Sequence, residues 1–386
     1  MRRFLQELKD FPKKCDWVLL LLCLITAAFG LVIIASSTSA AKFEGSTRYI
    51  IIQLASICLG VLAYAVMSSI DIEAMSERRN LLVAFNVVLL LLLIPFGTDA
   101  GTGNRSWLDF PLLPINIQPA EICKITYIII MASVMNAHQN SVSSIPSVMH
   151  MVLHLGILGG MNMAMSRDAG VTLIFVFIFI GMAFAGGVHL GWFALAIGAI
   201  VVAAPFIWPL LGEYQQERIM ILIDPTFDAQ GIGARYHYKI SLLSLTGGGL
   251  TGQGLFNGTR TQGGNLFAQH TDYVFSSIGE ELGFFGCVFV LILQFAIIAR
   301  CVWVGMRAQD YIRRLVCYGA ASAMIFQVTI NVGMCLGVMP VIGLTLPFIS
   351  YGGSSMVTIF AMLGLVSGSY ARPASLSHER YIQPYR

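Results

Sequence analysis

Three carboxylates, Asp272, Glu280 and Glu281, fall in the stretch Gly247–Gly286, GGGLTGQGLFNGTRTQGGNLFAQHTDYVFSSIGEELGFFG. Its glycines let backbone approach a ligand closely, and its polar run delivers Asp272 to the mouth of an apolar helix expected to begin near Tyr273. A carboxylate held there can take a proton from a reacting hydroxyl. The plainer reading is an acid favoured by the positive end of a helix. At helical spacing Asp272, Ser276 and Glu280 form an i, i+4, i+8 row, and turning that row to lipid would cost about 2.5–3.5 kcal/mol per charge. The row is therefore expected to line a cavity.

Four further motifs carry polar groups into an apolar chain. In Gln118–Ile125 (QPAEICKI), Pro119 suits the first turn of a helix, and Glu121 and Lys124 stand i, i+3 on it. Such charges are costly in a membrane unless they meet, so they are expected to form a structural ion pair facing the bundle interior. Ser166–Gly170 (SRDAG) puts Arg167 and Asp168 in a short turn, which reads either as a solvated tip or as part of an external site. Arg218, Arg235 and Lys239 sit close to Tyr236 and Tyr238, a combination suited to a ligand with phosphate and sugar. An interfacial helix snorkelling its cations to lipid phosphates would look the same. Asn331–Ser355 (NVGMCLGVMPVIGLTLPFISYGGSS) is rich in helix breakers, including Pro340 and Pro347. Irregular backbone at membrane depth must line protein or water, so this run is expected to pack on the site and to bring Ser350 and Ser354 to a substrate; a simple kinked hairpin is the alternative.

The elements that hold these residues follow from composition. With 386 residues, 56% of them hydrophobic and only 11% charged, and a mean hydropathy of +0.76, the chain reads as an all-α polytopic membrane protein and not as a soluble or nucleic-acid-binding one. Its eight cysteines lie in or at the ends of apolar runs, which argues against a disulfide framework and a Cys/His metal site. About ten spans are expected, at Trp17–Ser37, Ile50–Ser69, Leu81–Phe96, Pro119–Met135, Val148–Met165, Val171–Ala185, Leu190–Leu211, Tyr273–Val302, Leu315–Val338 and Thr345–Tyr370. The whole chain forms one transmembrane domain with residues 1–15 and 371–386 as cytoplasmic ends. Its first apolar run is expected to act as an anchor and not as a cleaved signal. Arg2, Arg3, Lys9, Lys13 and Lys14, then Arg78 and Arg79, the cations from Arg300 to Arg314, and Arg372, Arg380 and Arg386 all fall on one side, which the positive-inside rule makes cytoplasmic.

Lys42, Arg48, Arg105, Arg167, Arg218, Arg235, Lys239 and Arg260 fall on the other side. Residues 97–118 are too apolar for a solvated loop and too broken by proline to span, so they are expected to re-enter or lie in the interface, with Trp107 as an anchor. The loop 212–271, between the seventh and eighth spans, is long enough to hold amphipathic helices and form a lid. No repeat of fixed period appears, and no inverted repeat of the transporter kind.

Taken in order, GNRSWLDF, IQPAEICK, SRDAG, IDPTFDAQGIGARY, GGGLTGQGL, HTDYVFSSIGEELGFFG and the run from Asn331 resemble the SEDS family of shape, elongation, division and sporulation proteins (RodA/FtsW/SpoVE type) over nearly the whole chain. The short N-terminus and brief tail incline to the RodA-like branch. Ala120, Arg167, His237 and Ile240 depart from residues common in that family.

The resemblance implies a ten-helix, GT-C-like peptidoglycan glycosyltransferase of the bacterial cytoplasmic membrane. It would polymerise lipid II into a lipid-linked glycan strand at the outer face, with a class B penicillin-binding protein as transpeptidase partner. It also implies that Asp272, in the Thr271–Asp272–Tyr273 motif, is the catalytic carboxylate. Attack by a sugar hydroxyl on an anomeric carbon bearing a lipid pyrophosphate needs a base and cations for the departing charge. Asp272 supplies the base. Arg218, Arg235, Lys239 and Arg105 are candidate clamps, with Trp107, Asp168, Tyr236, Glu280, Ser350 and Ser354 as further substrate contacts. No cofactor is required by this reading, although a divalent cation, Mg or Mn, could share the clamp. A lipid II flippase and a scaffold for the penicillin-binding protein are the competing functions. The flippase needs charges along a continuous path, whereas Glu121, Lys124, Glu280 and Glu281 are the few intramembrane ones.

Overall fold

A computed structural model describes residues 12, 15–39, 47–98, 105–109, 116–210, 212–224, 227–228 and 235–370. The N-terminal cations, Lys42, most of residues 225–234 and the tail arginines lie outside the described residues. In chain order the helices are α1 (Trp17–Ser37), α2 (Thr47–Ser68), α3 (Ile72–Glu77), α4 (Arg79–Leu91), α5 (Leu93–Phe96), α6 (Pro119–Ala137), α7 (Ile145–Ser166), α8 (Ala169–Ala185), α9 (Leu190–Ile207), α10 (Glu213–Ile223), α11 (Tyr236–Gly247), α12 (Thr259–Gln262), α13 (Val274–Arg307), α14 (Tyr311–Cys335) and α15 (Gly353–Tyr370). Among the described residues nine helical stretches are long and apolar enough to cross a membrane, and α8 is a shorter apolar helix of 17 residues. The protein is an all-α multi-pass membrane protein with the expected ten apolar segments.

Short polar side chains set several boundaries. Asp16 caps α1 by accepting from Leu19 N at 3.2 Å. Asp310 caps α14 by accepting from Ile312 N at 2.8 Å and Arg313 N at 3.3 Å, so α14 begins at Tyr311 and not at Leu315. Asp168 caps α8 at Val171 N, 3.1 Å, which moves that start to Ala169. The last span begins at Gly353 and not at Thr345, because residues 340–352 are irregular and pack inside the bundle. Asn331 and Gln294 satisfy two of their carbonyls, with Nδ2 to Leu344 O at 2.7 Å and Nε2 to Pro347 O at 2.6 Å.

α15 lies along α2, and α14 packs against α13, α8 and α6. These helices enclose the main apolar core. A second cluster, with Ile33, Tyr273, Phe275, Val290, Cys335 and Leu346, sits beneath the end of the bundle that carries Asp272. α9 differs: none of its residues is buried, so its apolar surface faces outward along its length. At the other end of α13, Arg300 grips Asp16 with Nε at 2.8 Å and Nη2 at 2.9 Å. Arg313 grips Glu73 with two donors, the longer at 2.7 Å.

Residues 97–118 form a small antiparallel ribbon of β1 (Gly97–Thr98) and β2 (Trp107–Leu108), extended by a bridge from Leu108 to Ile117. Residues 99–104 and 110–115 lie outside the described residues.

Helix α13 runs for 34 residues but breaks at Gly283, where φ is 67° and ψ is −161°, a region open to glycine alone. The long loop repairs the break. Gln253 N and Gly254 N donate to Glu280 O and Glu281 O, both at 3.0 Å, while Phe284 N and Phe285 N donate to Gly249 O and Leu250 O at 2.9 and 3.2 Å. Backbone groups orphaned by the break are thus paired, as they must be away from water.

Candidate active site

Asp272 occupies the turn before α13, and every carbonyl around it is held. Tyr351 N donates to His270 O at 2.8 Å, Ser350 Oγ to Thr271 O at 2.7 Å, and Asn331 Nδ2 to Asp272 O at 3.0 Å. Cys335 Sγ lies 3.8 Å from that same oxygen. Ser350 also accepts from Leu346 N at 2.8 Å, so the irregular run and the turn form one hydrogen-bonded unit. The carboxylate itself is half-buried. A Cβ on Gly343, which has φ +78°, would stand 3.6 Å from its Oδ2.

Burial pushes the Asp272 carboxyl up to about 6; the Arg218 cation pulls it down, and the negative charge of Asp168 adds to the rise. Near neutral pH the group is therefore mostly ionised yet holds its proton far better than an exposed aspartate.

Asp168 faces the same place from the start of α8. Its Oδ2 accepts from Gln118 Nε2 at 3.3 Å and lies 3.5 Å from Ser106 Oγ. Burial raises its proton affinity, with a smaller push from Glu121. Below it, Lys124 Nζ is 2.7 Å from Glu121 Oε2, with both side chains almost fully buried. Thr358 Oγ1 donates to that same oxygen at 2.9 Å. Ser354 Oγ accepts from Gln118 N at 3.2 Å. The QPAEICKI motif, SRDAG and the run after Asn331 therefore converge.

The row expected from spacing does not form. Ser276 and Glu280 are completely buried. Ser276 shares a 2.6 Å hydrogen bond with Ser241. Glu280 accepts from Arg260 N at 3.0 Å and from Thr261 N and Oγ1 at 2.8 and 2.7 Å. Glu281 accepts from Gln262 Nε2 at 2.8 Å. These glutamates fasten the loop across the break in α13 and leave Asp272, outside the helix, as the one acid of that stretch at the site.

The cations of the long loop divide. Arg218, half-buried on α10, lies within electrostatic reach of Asp272, His237 and Tyr238. Arg235 turns to its own loop: Nη2 donates to Ile221 O at 3.1 Å, and its amide to Asp228 Oδ2 at 2.9 Å. Tyr236 and Lys239 are exposed on α11, as is Arg105 beside β2, and Trp107 is half-buried in that strand. Tyr238, expected beside Tyr236 toward a ligand, points inward and is 6% exposed.

Gln118, Asn331 and Gly343 lie inside motifs the sequence singled out, but spacing did not show their individual roles, because their partners are far away in the chain. Among the described residues no group of three or more His, Cys, Asp or Glu side chains is arranged to hold a metal ion.

The family model described as "Cell cycle protein", covering FtsW, RodA and SpoVE, matches residues 16–371. The chain is 34% identical over 360 residues to the probable peptidoglycan glycosyltransferase FtsW of Thiomicrospira cyclica, covering 90% of this chain and 89% of that protein. It is 30% identical over 330 residues to the peptidoglycan glycosyltransferase MrdB of Escherichia coli K12, covering 84% and 86%. Relatives of both names therefore match at comparable identity. Among solved structures, a chain of a peptidoglycan synthase complex that coordinates polymerization and crosslinking superposes with a TM-score of 0.75 at 28% identity, over 96% of this chain and 99% of that one. The rod shape determining protein RodA of Thermus thermophilus superposes with a TM-score of 0.67 at 25% identity, over 96% and 98%. With the family model spanning nearly all of the bundle and the site, the chain belongs to the FtsW/RodA/SpoVE family of cell cycle proteins.

Proposed function

We propose that this protein is a peptidoglycan glycosyltransferase that polymerises lipid II, with Asp272 as the general base. The observation that carries the reading is a half-buried carboxylate, its pKa lifted to about 6, within electrostatic reach of the Arg218 cation at one end of a membrane bundle. A base of that strength is ionised at neutral pH and still accepts a proton well.

In the reaction the acceptor sugar's hydroxyl forms a bond to the anomeric carbon of the donor, and its proton passes to Asp272. The bond from that carbon to the lipid pyrophosphate breaks, and the pyrophosphate leaves with the electron pair. Arg218 is placed to offset that charge, with Arg105 and Lys239 at the rim of the approach. Asp168, held by its cap and by Gln118, orients sugar hydroxyls by accepting from them. The end carrying Asp272 faces outward and both chain termini face the cytoplasm. A class B penicillin-binding protein supplies crosslinking. This last step is supported by the likeness to a chain of a synthase complex. The competing flippase reading lacks a continuous charged path, since Glu121 is paired with Lys124 and Glu280 is sealed by the loop.

The test is conversion of labelled lipid II to glycan strands by the purified protein with its partner. Asp272→Ala should lose at least about a hundredfold in rate while still binding the partner. Wild-type rates in that variant would remove Asp272 from catalysis.

A further inference from the structure

The irregular run after α14 lies between the two carboxylates of the site. A Cβ on Gly170, two residues past Asp168, would meet Ile342 Cγ2 at 2.6 Å and Ile342 O at 2.9 Å, and the Gly343 position stands against Asp272 Oδ2. Residues 342–343 therefore wall off part of both acids. Asn331 ties the far side of this wall through Leu344 O, 2.7 Å.

One side chain of the long loop ties the near side. Tyr238 Oη donates to Met339 O at 3.0 Å and accepts from Val341 N at 2.9 Å. Its ring packs at Gly337, where a Cβ would stand 3.6 Å from Cδ1. A phenol that both donates and accepts across Pro340 holds the backbone in register, which packing by the ring alone would not do. α11 is in turn held to the bundle by Ser241 Oγ, donating to Cys335 O at 2.8 Å.

We propose that Tyr238 is a positioning residue for the reaction: its hydroxyl clasps residues 339–341 to α11 and so keeps the Ile342–Gly343 wall closed against Asp272 and Asp168. The proposal rests on the polymerase reading of the site. Through this clasp the posture of the long loop sets how dry the base is. Opening the clasp admits water beside Asp272 and lowers its proton affinity, because burial is the main cause of the rise. Among the described residues, the charged and titratable groups in electrostatic contact with Asp272 include Arg218 from α10, Asp168 from the start of α8, Cys335 from α14 and neighbouring Tyr273. Tyr238→Phe changes none of these.

The experiment compares wild type and Tyr238→Phe, each full length and with its partner, by glycan synthesis from labelled lipid II across pH, by amide hydrogen exchange over 337–344, and by thermal unfolding. Expected are a kcat about tenfold lower with KM within about twofold, an acid limb displaced from near pH 6 toward the ordinary carboxylate range, and faster exchange at Val341. An unmoved acid limb with unchanged exchange overturns the proposal, even if the rate falls. So does a variant that cannot fold, since the hydroxyl would then serve stability alone. Wild-type protein that makes no glycan instead overturns the polymerase reading, and the exchange data still decide whether the clasp exists.

Discussion

Two charges of opposite sign act on one carboxylate, and their effects on rate are separable. Arg218 lowers the proton affinity of Asp272, and Asp168 raises it, both on top of the larger rise from burial. A base must be ionised to act, so kcat/KM should climb with pH through about 6 and level off above it. Neutralising Asp168 as Asp168→Asn removes a repelling charge, stabilises the ionised base and should move that acid limb to lower pH. Arg218→Gln removes an attracting charge and should move it to higher pH. Each shift should be about half a unit to one unit, the size expected of one partly screened neighbour. Both variants will also lose rate through substrate contact. The position of the acid limb is read apart from that loss of rate, and limbs that do not move in opposite directions would contradict the geometry.

At the scale of elements, the break in α13 is the feature on which the site stands. Turning the chain at Gly283 aims the stretch from Val274 to Leu282 away from the rest of the helix, and the long loop fills the gap with backbone hydrogen bonds. A methyl group at this position would meet Gly252 N at 2.3 Å and Leu250 O at 2.6 Å, in a conformation that disfavours any side chain. Gly283→Ala is therefore expected to cost more than about 2 kcal/mol. It should lower the melting temperature and free the loop to proteolysis between Gly247 and Thr261. A variant as stable and as resistant as wild type would mean that the loop does not depend on the break. The same reasoning explains Glu280 and Glu281, which hold the loop with charge-assisted hydrogen bonds.

Over the whole molecule, the described cations at one end of the bundle are held in ion pairs and ring contacts, whereas two at the end that carries Asp272 stand exposed. At one end Asp16 pairs with Arg300 and Glu73 with Arg313, while Arg300 and Arg307 each lie 4.0 Å from the Trp303 ring. Burial alone would raise the Glu73 carboxyl, but hydrogen bonds from Arg313 and with Asp71 outweigh it and hold it at about 2. At the other end Arg105 and Lys239 are exposed. With Cys58→Ser as background, because Cys58 is an exposed thiol, Lys239→Cys should react with a membrane-impermeant thiol reagent added outside intact cells. Arg307→Cys should react only after permeabilisation. The reverse pattern would invert the proposed orientation and put Asp272 on the wrong side for outward glycan synthesis.

The amino-acid sequence alone determined the apolar segments, because spanning a bilayer depends on the length of a local run; α1 falls on the expected Trp17–Ser37. It also singled out Asp272 and the meeting of Glu121 with Lys124, the latter because i, i+3 neighbours are fixed by helix geometry. Tertiary structure decided what spacing could not. Glu280 left the expected row because a loop twenty residues earlier supplies its donors. Tyr238 turned inward because its partners, Met339 and Val341, lie about a hundred residues away. Helical periodicity says which residues share a face; which faces are open depends on contacts between segments remote in the chain, and these exist only once the bundle has closed.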